Sequence, residues 1–176
     1  MAGAETLSGA LPPEVEQLAI RLLTLSCDRE LTLATAESCT GGLIASLLTD
    51  VDGMGHAFER GFVVYTDEAK AGMLGIPRQL IDAHSAVSRE VAVAMAEGGL
   101  AHSRADVVAS VTGFAGPAGP DDETGLVHFG CASNGGETSH RRFVFAHSDR
   151  HEVRMKSVKA AFDLIESQIE LTTRLA

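Results

Sequence analysis

Ser38, Cys39 and Lys70 are the side chains in this sequence best suited to attack an electrophilic carbon or to activate the group that does. Ser38 and Cys39 lie in Thr35-Ala36-Glu37-Ser38-Cys39-Thr40-Gly41-Gly42, between the apolar runs Leu31 to Ala36 and Leu43 to Leu48. The first run has the alternation of a strand and the second the length of a helix. A helix opening at or near Ser38 directs its free N–H groups, and the positive end of its dipole, at whatever lies in front of the turn. Such a place suits an anion, or the oxyanion of an acyl-transfer intermediate. Gly41 and Gly42 allow close approach to the backbone. The plainer alternative is an N-cap, since Ser and Thr begin many helices with no chemistry attached.

A serine nucleophile needs a base. The chain has no GxSxG elbow and no histidine in a recognisable serine-hydrolase context, which leaves a Ser–Lys pair. Lys70 is the candidate, as the single lysine before Lys156; its plain alternative is a surface helix lysine. Cys39 is the rival nucleophile, because a helix N-terminus lowers a thiol pKa. A buried Cys packed beneath the turn is the other outcome.

A second loop, Thr112-Gly113-Phe114-Ala115-Gly116-Pro117, follows the apolar run Asp106 to Val111. Ligands of open α/β sheets bind beyond the carboxyl ends of the strands. Parallel neighbouring strands would bring both loops to such an edge, with Tyr65 and Lys70 close behind. Phosphate signatures (GxxxxGK, GxGxxG) and zinc signatures are missing, so neither cofactor nor metal is expected. His128 and His140 are expected to face solvent from strands and carry no assigned role. Asp121-Asp122-Glu123 has the donors for a divalent ion but reads first as a solvated acidic loop. Arg141, Arg142, Arg150, Arg154, Lys156 and Lys159 form a late basic cluster that suits an anionic ligand, a partner subunit or a solvated face. Within it, Arg150 and Arg154 share a helix face at i, i+4.

The elements that must position these groups follow from composition and periodicity. At 176 residues with 45% hydrophobic content the chain can build one core. A net charge of -10 argues against nucleic-acid and anionic-membrane partners. Three cysteines without CxxC spacing fit a reducing cytoplasm, and no apolar segment is long enough to span a bilayer. Residues 1–12 are expected as a flexible tail and 13–176 as one domain.

Helices are expected from Glu14 to Ser26 or Cys27, from about Ser38 to Thr49, from Thr66 or Asp67 to Gly75, over one turn from Pro77 to Asp82, from Ser88 towards His102, and from Ser148 or Asp149 to Leu171. Strands are expected over Leu31 to Ala36, Phe58 to Thr66, Asp106 to Val111, Leu126 to Ala132 and Arg142 to Phe145, the last two joined by the hairpin signal Asn134-Gly135-Gly136. This order implies a layered α/β/α domain whose mixed, mostly parallel sheet is flanked by helices, parallel early and antiparallel at the hairpin. A free edge strand near the hairpin suits a homo-oligomer, a dimer or higher.

Taken together, these residues resemble the CinA C-terminal domain family, whose characterised members are nicotinamide-nucleotide amidohydrolases. The resemblance rests on Thr35 to Gly42, on Phe58-Glu59-Arg60-Gly61-Phe62-Val63-Val64-Tyr65, on Asp67-Glu68-Ala69-Lys70 and Leu74-Gly75, on His84 to Ser88, on Thr112 to Pro117, and on Asp149 to Arg154. It covers roughly residues 13 to 170 in family order, and together these motifs are specific. It implies a stand-alone member that hydrolyses the carboxamide of nicotinamide mononucleotide to nicotinate mononucleotide and ammonia without a metal. Ser38 is then the nucleophile and Lys70 its base, with Tyr65 or Thr112 steadying the proton path. N–H groups around Cys39, Thr40, Gly41 and Gly42 hold either the oxyanion or the substrate phosphate. Gly113 and Gly116 let the nucleotide lie against the second loop, and Arg150 or Arg154 pairs with the phosphate. Two features depart from many relatives: the acidic loop after Pro117 is short, and the next strand begins Gly125-Leu126-Val127. The same resemblance leaves room for a domain that binds a nucleotide or partner without turning it over.

Overall fold

The structure, a computed structural model, describes residues 12–120 and 122–175; the expected tail, apart from Pro12, lies outside the described residues. The first helix, α1 (Pro13–Asp28), opens with Pro in its first turn and buries Val15, Ala19, Leu22 and Leu23. It leads to β1 (Leu33–Glu37), all of whose residues are buried. Next come α2 (Leu43–Thr49), a 3-10 turn at Gly55–Ala57, and β2 (Phe58–Val63). Three helices follow, α3 (Asp67–Leu74), α4 (Arg78–His84) and α5 (Arg89–Ala101). The chain closes with β3 (Val107–Gly113), β4 (Leu126–Ser133), β5 (Ser139–Val144) and the long α6 (Arg150–Leu175).

The five strands form one sheet in the order β2-β1-β3-β4-β5. β1 is parallel to both β2 and β3, whereas β4 is antiparallel to both β3 and β5. Four strands therefore run one way and β4 alone is reversed. From β1 the chain crosses to one side of the sheet through α2, then returns past β1 to β3 through α3, α4 and α5. The crevice between the ends of β1 and β3 is thus the topological switch point, where ligands of such sheets bind.

Side-chain alternation along the strands divides the core. Leu33, Val107, Ala109, Val111, Val127 and Phe129 face the layer of α1, α2 and α6. Ala36, Phe62 and Val64 face the other layer, packing on Leu74, Ile81, Val91 and Met95. Gly98 and Gly99, a pair that weakens helix propensity, have a packing role here. A Cβ at Gly98 would stand 2.2 Å from the Leu74 carbonyl oxygen, and one at Gly99 would stand 2.7 Å from Val108. Their absence lets α5 press against α3 and β3 at once, which fixes the helix that carries Lys70.

Several ends behave as side-chain chemistry dictates. Thr66 Oγ1 accepts from the Ala69 N–H, Ser88 Oγ accepts from the Val91 N–H, and Gly75 stops α3 in a left-handed conformation at φ 68°. Asp149 and Glu152 exchange hydrogen bonds reciprocally at 2.8 and 3.0 Å, a capping box opening α6. One expected helix start is displaced: α2 begins at Leu43 rather than near Ser38. Gly41 and Gly42 adopt φ 63° and 90°, which the right-handed helix cannot accommodate, so Ser38 to Gly42 form a separate turn. His128 is also buried rather than solvent-facing, with its Nδ1 3.0 Å from His140 Nε2.

Candidate active site

Beyond the switch point lies a cavity of about 270 Å³ lined by Ser38, Cys39, Tyr65, Lys70, Ala86, Val87, Thr112 to Pro117, and Arg150. Both loops singled out from the sequence reach it, together with the residues after β2. Ser38 N–H donates to the Val111 carbonyl oxygen at 3.0 Å, which continues the parallel ladder by one step and sets Ser38 beside Thr112.

Lys70 crosses from α3 to the Ser38 turn. Its side chain is 1% exposed, and Nζ lies 3.4 Å from Ser38 Oγ and 3.3 Å from the Tyr65 carbonyl oxygen. Among the described residues no carboxylate forms an ion pair with it. Burial pushes the Lys70 pKa below the ordinary lysine value of 10.5, with the charges of Asp67 and Cys39 acting the other way. A buried amine of this kind, next to a hydroxyl and with no carboxylate in direct contact among the described residues, is suited to accept a proton.

Cys39 has the opposite electrostatics. Burial, reinforced by the neighbouring Glu37 charge, pushes its thiol up from 9.0 to about 12 against the pull of Arg154 and Lys70. The side chain therefore stays a thiol, which is a weak nucleophile.

Glu37 is the residue that sequence reasoning passed over. It is wholly buried, and its carboxylate accepts five hydrogen bonds. Oε1 receives the Thr35 hydroxyl at 3.1 Å and the Ala45 N–H at 2.8 Å. Oε2 receives the Thr40 hydroxyl at 2.7 Å and the N–H groups of Gly42 and Ile44, both at 3.1 Å. The N-terminus of α2 is thus neutralised from inside the protein. The amide of Gly42 is engaged by Glu37, and that of Gly41 donates to the Ser38 carbonyl at 3.1 Å. The signal that could have found Glu37 is a charged residue closing an otherwise apolar strand, immediately before a Gly-rich turn.

The two arginines of α6 separate. Arg150 lines the cavity and is exposed, with its guanidinium beside Gly116, where a Cβ would stand 2.5 Å from Nη2. Arg154 does not line it. Its Nη2 donates to the Thr40 carbonyl oxygen from behind the Ser38 turn. Tyr65 is 69% exposed at the cavity mouth, and it is its carbonyl oxygen that faces Lys70. Thr112 is buried and donates its hydroxyl to the Ala86 carbonyl at 2.8 Å. Gly113 packs against β4. Among the described residues no cluster of three or more His, Cys, Asp or Glu side chains could hold a metal ion, and no helix is long and apolar enough to cross a membrane.

Comparison with known proteins places this geometry in a family. The profile of the CinA C-terminal domain matches residues 15–169. The nicotinamide-nucleotide amidohydrolase PncC of Escherichia coli is 44% identical over 142 residues, covering 80% of this chain and 86% of that protein. A CinA-like protein of Chlorobaculum tepidum is 44% identical over 153 residues, covering 84% of this chain and 35% of that longer protein. Several other long relatives are spanned to only 35–37% of their length. The crystal structure of the competence/damage inducible protein CihA from Agrobacterium tumefaciens superposes with a TM-score of 0.86 at 40% identity, covering 89% of this chain and 96% of that one. With the matched profile, the 44% identical relative and the shared fold in agreement, the chain belongs to the CinA C-terminal domain family.

Proposed function

We propose that the protein is a Ser–Lys amidohydrolase that converts nicotinamide mononucleotide to nicotinate mononucleotide and ammonia. The observation that carries this reading is the buried Lys70 amine 3.4 Å from Ser38 Oγ, with no carboxylate in ion-pair contact among the described residues, at the wall of an open cavity. The substrate is taken from the 44% identical PncC. Ser38 Oγ attacks the carboxamide carbon as Lys70 accepts its proton. The tetrahedral intermediate collapses by breaking the C–N bond, and the Lys70 ammonium returns the proton to the departing nitrogen, releasing ammonia. A water molecule, deprotonated by Lys70, then attacks the Ser38 ester and frees the carboxylate.

Because the Gly41 and Gly42 amides are engaged within the turn, we assign the oxyanion to the amides of Cys39 and Thr40. Arg150 is the phosphate partner and Arg154 a brace for the turn. Thr112 and the Tyr65 carbonyl bound the proton path.

The test is ammonia release from nicotinamide mononucleotide by the parent chain, Ser38→Ala, Lys70→Ala and Cys39→Ser, with and without chelator. Loss in the first two, retention in the third and indifference to chelator are expected. Saturable nucleotide binding without ammonia from the folded parent would replace this reading with a binding domain.

A further inference from the structure

Thr112 does not meet the cavity as an ordinary hydroxyl. Oγ1 is 2.8 Å from the Ala86 carbonyl oxygen, and since a carbonyl can only accept, the one hydroxyl proton is committed there. Towards the cavity Oγ1 presents lone pairs alone. The Ala86 carbonyl is itself held in place. Ser85 adopts φ 70° and ψ 151°, a region essentially reserved for glycine, and such strain persists where the surroundings over-determine it. Ser88 supplies that determination. Its Oγ donates to the Ser85 carbonyl at 2.9 Å while accepting the Val91 N–H at 3.2 Å at the start of α5. The strained bend, the helix cap and the Thr112 hydroxyl form one connected device, and it fixes an obligate acceptor next to Ser38.

We propose that Thr112 distinguishes a primary carboxamide from the corresponding carboxylate, by accepting a hydrogen bond from the –NH2 group of the bound substrate. This deepens the amidohydrolase reading and rests on it. A carboxamide brings two N–H donors to that acceptor, and a carboxylate brings none. The acid in the same pose sets its own lone pairs against those of Oγ1 and leaves a buried acceptor without a donor, which is the arrangement by which polar sites reject close analogues. The contact also fixes the rotation of the amide. With the nitrogen turned to Thr112, the carbonyl oxygen faces the Ser38 turn and the carbon faces Oγ. After the C–N bond breaks, the product carboxylate loses the contact that held the substrate, which favours its release. Two cations could oppose this discrimination. Burial favours the neutral amine at Lys70, and Arg150 stands at the rim beside Gly116, where it pairs with the phosphate common to substrate and product.

Calorimetric binding of nicotinamide mononucleotide and nicotinate mononucleotide to Ser38→Ala, which binds without turnover, tests the proposal. The amide is expected to bind about tenfold more tightly than the acid, the scale of one well-placed hydrogen bond. Ser38→Ala/Thr112→Val should lose that preference, and Ser38→Ala/Thr112→Ser should keep it. Equal binding of both nucleotides to Ser38→Ala, or a preference that survives Thr112→Val, overturns the role of Thr112 and leaves the amidohydrolase intact. Binding of neither nucleotide to folded Ser38→Ala overturns both. The N,N-dimethylcarboxamide analogue needs no change at Thr112 and decides the matter even if the Val variant does not fold. It should bind Ser38→Ala at least about tenfold more weakly than the carboxamide, and equal binding overturns the proposal.

Discussion

The cavity has two walls made from similar materials and built differently. Each is a loop of glycines and hydroxyls following a parallel strand, one after β1 and one after β3. The loop after β1 is held from inside: Glu37 accepts five hydrogen bonds beneath it and Arg154 donates to Thr40 from behind. The loop after β3 is closed at its neck, where Phe114 N–H meets the Leu126 carbonyl at 2.9 Å and Gly125 N–H meets the Phe114 carbonyl at 3.2 Å. Its outer part, with Pro117, Gly119 and Pro120, is exposed. The difference separates two tasks. Attack geometry must be reproducible to a fraction of an ångström, which suits the buried wall. Under the proposed function, recognition of a charged, solvated group falls to the exposed one.

Substitutions on the buried wall should therefore act on turnover, and those on the exposed wall on affinity. The largest effect is expected from Ser38→Ala, with kcat for ammonia release falling by at least ~10³ while the circular dichroism spectrum and melting temperature hold. Lys70→Met should lose activity on the same scale and sharpen the contrast by its stability. Because burial depresses the Lys70 pKa, the unfolded chain binds more protons between the folded-state value and 10.5. Parent stability therefore rises with pH through that window. Lys70→Met should melt at or above the parent temperature near neutrality, and the advantage should vanish as pH approaches 10.5; a lower melting temperature for Lys70→Met at every pH would contradict this.

Glu37→Gln comes next. The amide keeps the shape but turns an N–H2 toward N–H groups, which should cost about 3 kcal/mol in denaturant unfolding and lower kcat more than it raises KM. On the other wall, Gly116→Ala places a methyl against the Arg150 guanidinium, a flexible group that can move. Folding should be untouched and KM should rise about tenfold with kcat little changed. Cys39→Ser should show the smallest effect, within about threefold of parent activity, since its thiol is not ionised at working pH.

Much of this was legible before any coordinates. Strand, turn and helix around Ser38 followed from the switch in apolar period, and Thr66, Gly75 and Ser88 marked helix ends by their capping chemistry. The start of α2 was not legible, because two glycines with positive φ can either cap a helix or precede it as a separate turn. Glu37 was hidden for a related reason. A carboxylate at a strand end is usually solvated, and its burial depends on three amides and two hydroxyls that converge only once the turn has formed. β2 and β5 also differ at their ends: β2 stops at Val63, short of the expected Thr66, and β5 begins at Ser139 rather than Arg142. The i, i+4 spacing of Arg150 and Arg154 put them on one helix face, but one helical turn along α6 separates the cavity from the back of the Ser38 turn.

The measurement closest to the centre of this account is the titration of Lys70 itself, read from its ¹³Cε shift and compared with the pH dependence of kcat/KM. Lys70 should titrate below 10.5, and kcat/KM should rise with pH through the same midpoint, reaching a plateau once the amine is neutral. A Lys70 that titrates at or above 10.5, or a rate that follows a different midpoint, would contradict it.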